Sequence, residues 1–281
     1  SMLEERSVTS VAPATPRGVW AEGPAVAEFI RQSLAVTAAE LHKVGRDPTE
    51  LLTRAVQPAL WLVVFGQVFS RIRAIPTGNV SYIEFLAPGI LAQSVLFSAI
   101  FFGIAAIWER DLGVIHKLLV SPAYRGALVM GKAISAGVRG LTQGVIVYLL
   151  ALLLGVRLQF APRALLGVVV SIALGSALFA TFSLVVACIV KTRERFMGIG
   201  QVMTMPLFFA SNAIYPLDLM PHWLQLVARA NPLTYVVDLL RGLMIQGGHS
   251  ALGLGTDLGV QLFTFVVLLI IAARLYPGLA R

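Results

Sequence analysis

Eight residues, Gly126-Ala127-Leu128-Val129-Met130-Gly131-Lys132-Ala133, come within one position of a phosphate-binding loop. Such a loop needs a preceding strand, backbone amides turned toward the phosphates, and a Ser or Thr after the lysine to ligate magnesium. Here the last position is Ala133, the intervening residues are bulky and apolar, and no strand pattern precedes them. The spacing matches and the chemistry does not. The four histidines, His42, His116, His222 and His249, fall on separate segments, and none forms the paired arrangement of a zinc hydrolase. Cys188, the single cysteine, lies in an apolar run. It excludes an internal disulfide or a cysteine metal site and reads as a small buried hydrophobe. No set of acids, bases or metal ligands converges, so the chain is expected to be neither an enzyme nor a metal or cofactor carrier.

The segments that must position these residues are six long apolar stretches. With 57% apolar and 13% charged residues in 281 positions, they cannot all pack inside one soluble domain, so the lipid bilayer is the solvent this sequence fits. The expected fold is an all-α integral membrane protein. Spans are predicted at Leu51–Phe69, Tyr82–Trp108, Ala133–Val156 and Ala164–Val190, then from Phe196 to Ile214 with Pro206 interrupting, and at Leu258–Tyr276. Asp47-Pro48-Thr49-Glu50 has the form of a helix start, and Pro58 is expected to kink the first span.

Outside the spans, residues 1–24 are rich in Pro, Gly and charge and read as a disordered tail. In residues 25–45, Val26, Phe29, Ile30, Leu34, Leu41 and Val44 recur at helical spacing opposite Arg31, His42 and Lys43, which predicts an amphipathic interface helix. Residues 215–255 hold short apolar pieces broken by Pro216, Pro221 and Pro232 and read as outer re-entrant or interfacial helices. Sixteen of the 22 Lys and Arg fall on the amino-terminal side of this arrangement, which places both termini in the cytoplasm. The net charge of +8 then meets anionic headgroups rather than nucleic acid. Glu84 is the only acid near a span interior, close enough to the outer end for water to reach it. Gln67, Gln93, Gln143, Gln201 and Thr181 supply mild polarity, and Gly140 with Gly144 permits close helix approach or dimer packing. A proton relay needs ionisable groups at mid-membrane, and these spans lack them. The path therefore has no energy source of its own.

Three blocks carry a resemblance. Glu109-Arg110-Asp111-Leu112-Gly113-Val114-Ile115-His116-Lys117-Leu118-Leu119-Val120-Ser121-Pro122, with Arg125 and Gly131-Lys132, resembles the first cytoplasmic loop of type 2 ABC exporter permeases. Leu86-Ala87-Pro88-Gly89-Ile90-Leu91 resembles their second span. Tyr215-Pro216-Leu217, Met220-Pro221-His222-Trp223-Leu224, Asn231-Pro232-Leu233-Thr234-Tyr235 and Arg241-Gly242 resemble their outer hairpin. The blocks keep the family's order over residues 25–281, and the look is that of the daunorubicin-resistance and nodulation-factor exporter branch. His116 departs from the acidic residue that many relatives carry.

The resemblance implies a bacterial plasma-membrane permease with six spans, paired as a homodimer with two copies of an ABC ATPase that binds the ATP and magnesium. Residues 109–132 would form the coupling loop. In it, Glu109, Arg110 and Lys117 would register the ATPase groove while Leu118, Leu119 and Val120 fill it, ahead of Ser121 and Pro122. The exported substrate would be an amphipathic drug, lipid or glycolipid, passing Gln67, Gln93, Phe97, Phe101, Gln201 and Met205. The readings left beside it are a stand-alone carrier or channel and a lipid-modifying membrane enzyme.

Overall fold

The computed structural model describes residues 48–115, 117, 125–190 and 192–280, with residues 27, 30–32, 34, 35, 38, 39, 42 and 46. The predicted tail lies outside the described residues, as does most of the predicted interface helix, whose described positions between 27 and 42 are helical. Among the described residues the regular structure is helical, joined by turns and short irregular segments, apart from an isolated bridge between Leu158 and Ile245.

The first helix, α1 (Pro48–Leu60), starts at a proline, where the missing amide costs nothing. Pro58 then breaks the ladder from within, and the chain widens into a π-helical turn, Trp61–Gly66, before closing again as α2 (Gln67–Ile72). Arg73, left-handed at φ 53°, ends it. In α3 (Tyr82–Asp111) a capping box starts the helix: Ser81 accepts from the Glu84 amide, and Glu84 accepts from the Ser81 amide. Next come α4 (Arg125–Leu153), α5 (Pro162–Val190) and α6 (Arg193–Phe209). A short 3-10 turn, Leu217–Leu219, leads to α7 (His222–Ala230), then α8 (Pro232–Met244) and α9 (Leu254–Leu275), with a last 3-10 turn at Tyr276–Ala280. Asn231 caps α8 through the Leu233 amide, with Pro232 at the first helical position.

At the centre, α3 and α5 lie against one another, and α4, α6, α8 and α9 pack around that pair. Gly103 lets α3 approach: a Cβ there would meet the Ser183 Oγ, the Phe196 ring at 2.5 Å and the Ser183 carbonyl at 2.7 Å. The Gly140 and Gly144 pair is used inside the subunit, facing Ser176 and Ile172 of α5.

Among the described residues five helices are long and apolar enough to cross a membrane: Ala55–Ile72, Tyr82–Asp111, Gly126–Leu153, Pro162–Val190 and Leu254–Leu279. The fifth expected span forms α6, whose 17 residues rise about 26 Å, short of about 30 Å of hydrocarbon. With the turns that follow it, residues 193–214 nevertheless reach both ends of α3. Arg193 bonds Asp111 at the end of α3, and beyond α6 the Ile214 carbonyl accepts from the Tyr82 hydroxyl at the start of α3. The loop after α3 is shorter than the sequence suggested, because Arg125–Lys132 forms the first turns of α4. Likewise the last helix opens at Leu254, which takes Asp257 into it.

Gly103→Ala should cost about 2 kcal/mol through overpacking, whereas Gly198→Ala, with nothing within 4 Å of the added carbon, should change stability by less than about 0.5 kcal/mol. Thermal unfolding of the two variants in detergent reads the difference, and equal melting would refute the close α3–α5 approach.

Candidate functional site

At the Asp111 end of the bundle, an ion pair clasps α3 to α4. The Lys132 ammonium donates to Glu109 at 2.6 Å, with the lysine side chain only 4% exposed. Phe102 lies beneath, with Lys132 and Arg139 each 5.8 Å from its centroid. A second, more exposed clasp joins α3 to α6: Asp111 takes Arg110 at 2.7 Å and Arg193 at 3.1 Å, and Arg193 lies 4.5 Å over the Trp108 ring. Ile115 is fully buried with Ala106, Leu128, Cys188 and Tyr276. The predicted docking residues therefore divide. Glu109 and Arg110 are engaged within the chain, Lys117 is exposed, and Leu118, Leu119, Val120, Ser121 and Pro122 lie outside the described residues.

Between α1 and α3 lies a cleft of about 520 Å³. Gln93, Phe97 and Phe101, spaced by four, line it from one stripe of α3, with Ser94 and Ser98 beside them and Thr53, Gln57 and Pro58 opposite on α1. Gln93 is buried and its Nε2 has no hydrogen-bond partner. Phe97, Phe101 and Pro58 give the cleft apolar surface, and the unpartnered Gln93 amide is a donor left over within it. Three of the six residues expected to line a path meet here. Gln67, Gln201 and Met205 do not line the cleft; Gln201 and Met205 share an exposed stripe of α6 with Met197.

The Tyr82 end holds the polar groups that sequence reading missed. Glu84, expected to meet water, is instead buried. Its side chain is 4% exposed and pairs with Arg157 at 2.8 Å, while also accepting from the Ser81 amide. Arg241 of α8 donates through Nε and Nη2 to the Phe85 carbonyl at 3.3 and 3.1 Å, and through Nη2 to the Asn212 carbonyl at 2.9 Å. Its guanidinium stacks 3.7 Å from the Phe85 centroid. Burial pulls it down to about 10, against the pull of Asp238 and Tyr82, so it stays cationic at neutral pH. Asp238 accepts from the amides of Ala251 and Leu252 and from Ser250 and Asn212, and Ser250 also bonds Asp257 on α9. Ser81 followed by Glu84 was a readable cap signature. The Arg157 and Arg241 partners, 73 and 156 positions away, left no local signal.

Comparison with known proteins gives this geometry a setting. The family model described as ABC-2 type transporter matches residues 31–245. The protein ycf38 of Cyanophora paradoxa, a transport permease by name, is 29% identical over 215 residues, covering 76% of this chain and 74% of the relative. The daunorubicin resistance ABC transporter permease protein DrrB1 of Streptomyces coeruleorubidus is 26% identical over 264 residues, 92% of this chain and 89% of that protein. Nodulation protein J of Rhizobium leguminosarum bv. trifolii is 27% identical over 219 residues, 77% of this chain and 81% of the relative.

The buried Lys132–Glu109 clasp makes a graded prediction. Lys132→Met strands a buried carboxylate and should cost about 3 kcal/mol, and adding Glu109→Gln should restore part of that loss. A double-mutant cycle read by denaturant unfolding in detergent tests the pair, and strictly additive effects would show that the two side chains do not interact.

Proposed function

The chain belongs to the ABC-2 type transporter family, and from that premise we propose that this membrane permease subunit works in an ATP-driven exporter of an amphipathic drug, lipid or glycolipid. Two copies would pair as a homodimer, each with one copy of a separate ABC ATPase that holds ATP and magnesium. The observation that carries the proposal is the fastening of α3. At one end it is clasped to α4 and α6 beside the 109–122 segment, and at the other it is bound to Arg157 and Arg241. A push on that segment would be transmitted along one buried helix to the opposite membrane face.

The finer assignments have their own support. Six crossings are supported by the run of residues 193–214 alongside α3 from end to end, so that α6 would be a short fifth span. An even number of crossings and the basic residues at the Asp111 end favour cytoplasmic termini in a bacterial plasma membrane. Residues 215–255, whose α7 and α8 are too short to cross, would cap the outer side as re-entrant helices. Exposed apolar faces on α1–α2, including Val56, Leu60, Val64 and Val68, and on α6, including Val202, Met205 and Phe209, suit a second copy or lipid. The cleft of Gln93, Phe97 and Phe101 would receive the substrate's apolar part, with Gln67, Gln201 and Met205 farther along the path. The names of the relatives, daunorubicin resistance and nodulation, fit an amphipathic cargo.

Leu118→Asp places a charge where an apolar anchor would fill the ATPase groove. Co-purification with the partner ATPase should fail, or ATP hydrolysis should proceed without transport. An unaltered complex with full transport would count against the docking assignment. Phe97→Ala should raise the half-saturating substrate concentration about tenfold, a loss of about 1.4 kcal/mol of binding, and leave basal ATP hydrolysis unchanged. An identical dose response would remove the cleft from the path.

A further inference from the structure

Arg241 stands at the outer end as a buried cation that touches no anion, Asp238 acting on it only through space. It is 7% exposed, and the three hydrogen bonds it makes go to neutral carbonyls. Among the described residues its Nη1 has no hydrogen-bond partner, and no carboxylate lies at ion-pair distance. Asp238, three residues earlier on α8, does not fill the role. Its two oxygens already take the Asn212 amide, the Ser250 hydroxyl and the backbone amides of Ala251 and Leu252, at 3.4, 3.0, 3.1 and 2.8 Å. A buried charge is ordinarily paired, because desolvation without compensation is expensive.

The space beside Arg241 is a pocket of about 390 Å³, walled also by Arg229, His249 and Asn212. The Arg229 side chain makes no ion pair among the described residues, and the Asn212 Oδ1 is buried without a partner. Free donors on two guanidinium groups beside one orphaned acceptor suit an oxyanion that carries a hydroxyl or amine nearby. Asp218, exposed at the mouth, disfavours a dianion and selects a singly charged group.

We propose that this pocket is an oxyanion site for the carboxylate or phosphodiester of an amphipathic molecule at the outer membrane face, with Arg241 as buried donor and Arg229 and His249 at the rim. The permease reading enters only in deciding that this end faces outward. The anion would sit against α8 and the start of α3, where Arg241 already holds Phe85.

The test uses the full chain in detergent, with dihexanoyl phosphatidylglycerol, dihexanoylglycerol and inorganic phosphate as probes and thermal stability as readout. Phosphatidylglycerol should raise the melting temperature saturably while dihexanoylglycerol, which lacks the phosphate, does not. Arg229→Gln removes an exposed guanidinium and should leave the ligand-free melting temperature unchanged while raising the half-saturating concentration about tenfold. Arg241 also holds two backbone carbonyls, so its loss risks the fold, and His249→Gln serves as the second variant, with a smaller loss. If inorganic phosphate alone reproduces the effect, the oxyanion site stands with a free ion as its source. Equal responses to the two lipids, or an Arg229→Gln protein that responds like the parent, would overturn the site. No ATPase is needed, so saturable lipid binding by a chain that associates with no ABC ATPase would sink the ATP-driven exporter reading and keep this one.

Discussion

Ser183 of α5 bonds directly to the backbone of α3: its hydroxyl donates to the Ile100 carbonyl at 2.6 Å and accepts from the Gly103 amide at 3.0 Å. Inside a bilayer no water can satisfy a buried hydroxyl, so its donor and its acceptor must both be met by the neighbouring helix, and here both are. Gly103 makes it possible by leaving no Cβ in the way. From that contact the rest follows. With α3 and α5 this close, α4 can lay Gly140 and Gly144 against α5, and α8 and α9 can cover the remaining faces.

Burial of α3 on nearly every side makes it a rod rather than a flexible span. Its ends are held by different chemistry. The Lys132–Glu109 and Arg193–Asp111 pairs are side-chain clasps between helices at the basic end. The opposite end is held by a capping box reinforced by Arg157, and by backbone carbonyls gripped by Arg241. Exposed ion pairs such as Asp111 with Arg193 contribute less than about 1 kcal/mol and can exchange partners cheaply. The buried bonds at the far end cannot. A force applied at the basic end would therefore find one attachment able to shift, the Arg193–Asp111 pair, and one that holds, the buried Lys132–Glu109 clasp that would pass it into the rod.

How much of this was legible follows the range of each interaction. Helical character, the five long spans and the start of α1 at Pro48 come from local composition and were readable as such. The shortness of α6 was not, because the apolar run from Phe196 to Ile214 continues through residues 210–214 as turns. Glu84 was placed near the end of its helix, where it is found, yet its burial depends on Arg157, which no periodicity connects to it. Lys132, written off as part of a failed phosphate loop, proves to be a structural cation whose partner lies 23 positions away. In the cleft, Gln93, Phe97 and Phe101 shared a face by their spacing alone, while the α1 wall opposite them required the fold.

That cleft has one fixed wall and one soft wall. On the α3 side, Gln93, Ser94 and Ser98 belong to the most buried helix of the bundle. On the other side, α1 and α2 leave Val56, Leu60, Val63, Val64 and Val68 exposed, and the ladder is already widened after Pro58. A helix with little packing and a π turn bends at lower cost than one that is packed and locked at both ends. Any change in the width of the cleft must therefore come mainly from α1, with Trp61 at the start of the π turn sliding over Phe208 and Phe209, the two rings of α6 that it touches. Pro58, which lines the cleft and also breaks the ladder, puts the flexible point of α1 at the place where a guest molecule would press on it.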